Sequence, residues 1–178
     1  EIEKTGNDHF VLVLGQTQTI VHAILGDFTS AARWDEFAAA RVGVSNGALP
    51  LPDLYLFRAL VLSQRAPLST PEERAPTLEK LDEYVAKLAE FASVNPRNFA
   101  HKHKLAEAER SRVRGDDARA VLSLYQEALI AAGDDFLHLR ALTNELQASF
   151  CAASGHHELA RESAVEAQYI YRRRGAHA

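Results

Sequence analysis

Apolar residues recur at intervals of three and four along most of this chain, the spacing that lines one face of an α-helix. The cleanest stripe is Ala118, Val121, Leu122, Tyr125, Ala128, Leu129 and Ala132. A second, Leu78, Leu81, Val85, Leu88 and Phe91 or Ala92, leaves Glu79, Lys80, Asp82, Glu83, Lys87 and Glu90 facing outward. The pattern predicts eight helices. They run from about Asp8 to Leu25, Phe28 to about Val44, Asp53 onward, Thr70 to Asn95, Arg97 or Asn98 to Gly115, Asp116 to Ala132, Asp135 to Ser154, and His156 to Arg174. Leu54 to Leu62 is apolar nearly all round, as a helix covered on both sides would be. Phe10 to Leu14 could also open a buried strand, but no second strand is visible to pair with it. Thr70-Pro71-Glu72-Glu73 combines a capping residue, an early proline and a glutamate three residues after the cap, a strong helix start. Asn46-Gly47 and the prolines Pro50 and Pro52 break the chain. Asn95-Pro96 breaks it again, because the residue before a proline avoids helical geometry.

A recurrence overlies this pattern. Gly26 is followed by Ala31 and Ala38, Gly115 by Ala120 and Ala128, and Gly155 by Ala160 and Ala167. The last two glycines are 40 residues apart, a period typical of stacked helical hairpins. Such units cannot bury their apolar faces alone and must stack. The expected fold is therefore all-α, a right-handed superhelix of about four antiparallel hairpins, with residues 1–178 as one domain. The middle set carries one extra residue before its second alanine, which predicts a local bulge or register change.

Composition narrows the chemistry. A net charge of -4 gives no general reason to expect nucleic acid or an anionic membrane. Basic residues outnumber acids between Arg97 and Arg119, but the signs are intermixed, as on a solvated helix. Cys151 is the only cysteine, so no internal disulfide or multi-thiolate site is possible, and its apolar setting predicts a buried thiol. No apolar run is long enough to span a membrane and no signal peptide is visible, so a cytoplasmic protein is expected. The chain lacks methionine, which reads as a fragment of a longer multidomain protein.

Candidate catalytic groups do not assemble. His101 and His103 are two apart and point to different helix faces, whereas ligands on one face want spacings of three or four. No HExxH or comparable pairing occurs, so no metal is expected. Val11 to Thr19 runs into Gly15 without a second glycine or a Gly-Lys-Ser/Thr, so a phosphate loop is not expected. Gly15 is better read as a point of close helix approach. With no nucleophile next to a base, the reading is of a non-enzyme without cofactors.

Two segments carry a more specific signal. One is Asn95-Pro96-Arg97-Asn98-Phe99-Ala100-His101-Lys102 with Leu105, Glu107-Ala108-Glu109, Arg112 and Arg114-Gly115-Asp116-Asp117. The other is Ala141-Leu142-Thr143-Asn144-Glu145-Leu146 with Ala148, Phe150, Gly155, Ala160-Arg161 and Glu166-Ala167-Gln168-Tyr169-Ile170-Tyr171-Arg172. Together they resemble the TPR-like region of large multidomain signalling kinases, between an AAA-type ATPase, often preceded by a serine/threonine-kinase-like domain, and a GAF domain with a histidine-kinase tail. The resemblance covers about residues 53 to 176 and is most specific from Asn95 onward. Members of that family usually carry a tryptophan where this chain has Arg174. The resemblance implies a spacer and interaction module, with a protein, a peptide or neighbouring domains of the parent chain as partner.

It also implies a groove lined by the first helix of each hairpin, at 13, 10, 6, 3 and 2 residues before the repeat glycine. The candidate binding residues are Gln16 in the first hairpin, Lys102, Leu105, Glu109 and Arg112 in the third, and Glu145 and Ser149 in the fourth. The expected function is a non-catalytic protein-protein or interdomain interaction module of a multidomain signal-transduction kinase. The alternative is a TPR-like regulatory domain of an ATPase-type transcriptional regulator.

Overall fold

A computed structural model describes residues 8–39, 51–173 and 175, and no strand occurs among them. Among the described residues eight α-helices follow in order: α1 (Asp8–Ile24), α2 (Phe28–Ala39), α3 (Leu51–Arg65), α4 (Pro71–Val94), α5 (Pro96–Arg114), α6 (Ala118–Ala132), α7 (Leu137–Ala153) and α8 (His157–Arg173). A 3-10 turn at Ala66–Leu68 joins α3 to α4. The ambiguous stretch Phe10 to Leu14 is helical. The expected extension of the second helix to Val44, the pair Asn46-Gly47 and Pro50 lie outside the described residues. Pro52 does not break the chain as expected. It sits buried in the first turn of α3, where the N–H it lacks would have had no helical partner.

The chain divides into two compact units, Glu1–Tyr84 and Val85–Ala178, and the division falls within α4. In the first, α1 and α2 pair and α3 packs on both. Gly15 sets the α1–α2 approach: a Cβ there would lie 2.8 Å from the Ala38 Cβ, so a larger residue would push the helices apart. As its all-round apolar run requires, α3 buries Leu54, Leu56, Phe57, Ala59, Leu60 and Val61. It also buries Arg58, whose Nε donates to the Asp35 carboxylate and whose guanidinium lies over the Tyr84 ring. Tyr84 in turn stacks on Tyr55. The start of α4 is capped reciprocally, with Glu73 N–H donating to Thr70 Oγ1 and Thr70 N–H donating to the Glu73 carboxylate.

The second unit contains two close hairpins, α5 with α6 and α7 with α8, and α7 also packs against α6 and α5. Asn95 caps α5 by accepting a hydrogen bond from Asn98 N–H at 3.2 Å. The repeat glycines make the turns. Gly26, Gly115 and Gly155 have φ of +74°, +78° and +80°, a left-handed conformation in which a Cβ is strained. At each, the residue after the glycine donates its N–H to a carbonyl five residues back: Asp27 to His22, Asp116 to Ser111 and His156 to Cys151. This bond closes the helix end in a Schellman motif.

The extra residue of the middle set lies in the turn, not in a helix. Asp27, Asp117 and His156 are equivalent helix starts, each accepting from the N–H four residues on, at Ala31, Val121 and Ala160. Counted from these residues, Ala38, Ala128 and Ala167 are all eleven positions along, and all are buried. The expected bulge or register change in α6 is thus absorbed between Gly115 and Asp117. Exposed Ala120 is not the counterpart of Ala31; buried Val121 is.

Candidate interaction site

The seven residues expected to line a groove fall into three environments. Gln16 lies on α1 in the first unit, 5% exposed. Lys102, Leu105, Glu109 and Arg112 all lie on α5, but Leu105 and Glu109 are fully covered and Lys102 keeps 8% of its surface, with its ammonium 5.8 Å from the Phe99 ring centroid. Glu145 and Ser149 are exposed on α7. The structure therefore brings the α5 residues together in an interior and Glu145 and Ser149 together on a surface.

The interior cluster is a charged hydrogen-bond network. The Tyr125 hydroxyl of α6 donates to Glu109 Oε1, and Arg112 donates to Glu109 Oε2 through Nη2 at 2.7 Å and Nε at 3.1 Å. A buried carboxylate is tolerable only with such partners. Burial, reinforced by the negative Glu109, pushes the Tyr125 phenol well above its ordinary pKa. Burial works against the Arg112 charge, but Glu109 and Tyr125 more than offset it and hold its pKa above the ordinary value. Phe150 of α7 closes the cluster, its ring 6.0 Å from that of Tyr125, and Gln147 accepts from Gln126 beside it. Glu109 thus spends both oxygens inside the hairpin, and reversing the charge of Arg112 would strike the fold before any partner.

The surface pair borders a furrow. Between α7 and α8 lies an open cavity of about 460 Å³ whose lining includes Glu145, Ala148, Ser149, Ala164, Tyr171 and Arg172. Its floor is aliphatic, with Ala167 buried beneath it. Its rim is polar: the Tyr171 hydroxyl donates to Glu145 Oε2 at 2.8 Å, and Ser149 Oγ donates to the Glu145 backbone carbonyl at 3.1 Å. Burial, with the carboxylate beside it, raises the Tyr171 phenol far above its usual range, so it acts as a hydrogen-bond donor throughout the physiological range. An acid, a phenol and the exposed Arg172 around a small-residue floor can hold an amphipathic side of a protein.

The titratable residues elsewhere do not converge in this way. His101 is buried with its ring stacked on Phe136 at 4.0 Å between centroids. His103 sits 4.0 Å from Glu107; burial lowers its pKa, opposed by Glu107 and aided by Lys104 and Arg110. Cys151 is a buried free thiol, and burial raises its pKa. Among the described residues no group of three or more His, Cys, Asp or Glu could hold a metal ion, and no helix is long and apolar enough to cross a membrane. Sequence reasoning missed Ala164, Tyr171 and Arg172 as furrow residues because its groove drew only on the first helix of each hairpin, and Ala148 because it stands seven residues before Gly155, outside the groove offsets. Comparison with protein-family models, with curated proteins and with solved structures found no match for this chain.

Proposed function

We propose that this chain is a non-catalytic protein-protein or interdomain interaction module, a TPR-like right-handed stack within a cytoplasmic, multidomain signal-transduction kinase. The observation that carries the interaction reading is the α7–α8 furrow of about 460 Å³, with an aliphatic floor and a rim of mixed charge. Apolar surface rimmed by polar groups is the chemistry of a docking surface. The three glycines support the repeat reading, since each ends its helix with the same left-handed conformation and the same closing hydrogen bond. The assignment to a signalling kinase rests on the Asn95–Asp117 and Ala141–Arg172 segments.

The test is cross-linking of the chain as it is made in its own cells, followed by mass spectrometry. The reading expects cross-links from the carboxylates and lysines of α5–α8 to a second protein or to another domain of the same polypeptide. Cross-links confined to pairs within residues 8–173 would overturn it.

A further inference from the structure

The third and fourth hairpins can be compared position by position, counting back from the glycine along the first helix and forward from the helix start along the second. Six residues before the glycine stand Glu109 and Ser149; ten before it stand Leu105 and Glu145; eight after the helix start stand Tyr125 and Ala164. In the third hairpin the space between the two helices is filled by the Tyr125 ring and the Glu109 carboxylate bonded to each other. Both are fully buried, with Phe150 of α7 against the tyrosine. In the fourth hairpin those two positions hold a serine and an alanine. The furrow of about 460 Å³ lies where the filling is missing.

We infer that the α7–α8 furrow is a docking site for an amphipathic helix of a partner protein, which seats one aromatic side chain on the small-residue floor at Ala148 and Ala164. This rests on the interaction reading above and names the partner's chemistry at the same site. A helix is the occupant because the equivalent furrow of α5–α6 is already covered by one, α7, which presents the aromatic Phe150 there. The side chain is large because the hole stands where a tyrosine and a glutamate fit in the sister hairpin. The rim fixes polarity. Glu145 replaces the buried Leu105 and calls for a basic residue about one helical turn from the aromatic, while Arg172, on the other helix, calls for an acid. Opposed rim charges select orientation and partner more than they add affinity, whereas a buried aromatic anchor carries the energy.

The probe is a synthetic alanine-rich helical peptide of about 18 residues, long enough to hold helix in water, with a central tyrosine and a lysine one turn away. Fluorescence anisotropy with the full chain is the readout. The peptide should bind, replacing its tyrosine by alanine should weaken binding by about tenfold or more, and replacing its lysine by glutamate should weaken it less and in a salt-dependent way. In the chain, Ala164→Tyr fills the hole from within and should abolish binding. Glu145→Lys, an exposed change that spares the floor, should invert the preference between the lysine and glutamate peptides and keeps the test readable if the first variant folds poorly. Equal binding of the tyrosine and alanine peptides, no binding of either, or unchanged peptide preference in Glu145→Lys would overturn the inference. Self-association of the chain that Ala164→Tyr removes would also overturn it, assigning the furrow to a second copy. Failure here alongside cross-links from other faces leaves the interaction reading intact; failure of both removes both.

Discussion

The third and fourth hairpins share a helix-ending glycine conformation, a helix register and a buried alanine at the same position, yet one has a filled interior and the other an open furrow. Gly115 and Gly155 adopt the same left-handed geometry with the same closing hydrogen bonds. Ala128 and Ala167 lie equally far from the helix start and are both buried. Between the two helices, Glu109 with Tyr125 gives way to Ser149 with Ala164. A repeat built this way keeps its helix register and changes its surface by exchanging the residues between the two helices. Architecture and recognition are therefore written at separate positions of the same unit.

The largest effect should come from emptying the third hairpin. Tyr125→Ala removes a fully buried ring and leaves Glu109 facing Arg112 without its second donor. A loss of about 3–5 kcal/mol is expected from the cavity, read as a drop in the denaturant midpoint. A loss below about 1 kcal/mol would mean that the α5–α6 interior is not held by its filling, and the comparison between hairpins would fail.

Next come the turns, which should respond alike. Gly115→Ala and Gly155→Ala each force a Cβ into left-handed backbone, at about 1–2 kcal/mol. No heavy atom lies within 4 Å of either added Cβ, so backbone conformation alone sets the cost. Equal shifts in thermal midpoint are expected. A clear inequality would show that the two turns are not energetically equivalent.

The smallest effect is a pH dependence that arises in the third hairpin. His103 there is partly covered and its pKa lies below the ordinary 6.5, chiefly through burial, whereas His156 and His157 at the fourth hairpin's turn are exposed. As pH falls through the ordinary value, the unfolded chain takes up a proton that the folded one resists. Stability present above that pH is then lost below it. His103→Gln should flatten part of the decline in thermal midpoint between about pH 7 and 5. An unchanged decline would place the acid sensitivity elsewhere.

Much of the backbone was legible in the sequence. The three- and four-residue apolar spacing located the helices, and the glycines marked their ends, because a left-handed residue after a helix favours glycine strongly. The thiol of Cys151 was also readable, since it falls on an apolar stripe. Two things were not readable. The extra residue between Gly115 and Ala128 could sit in a turn or in a helix, and spacing alone does not distinguish them; only the bond from Val121 N–H to the Asp117 carbonyl does. Glu109 reads as a residue lining an open groove, and its burial depends on Tyr125 and Arg112 arriving from sixteen and three residues away. The furrow was hardest to foresee because it depends on what is missing: Ala164 looks like an ordinary helix residue until Tyr125 is placed beside it.

The most direct test of that contrast is to give the fourth hairpin the filling of the third. In the double variant Ser149→Glu with Ala164→Tyr, the new hydroxyl and carboxylate should pair across the furrow as Tyr125 and Glu109 do, with thermal midpoint equal to or above that of the parent chain. A fall of the size produced by overpacking a closed core, about 1–3 kcal/mol, would contradict the claim that the α7–α8 furrow is an unfilled counterpart of the α5–α6 interior.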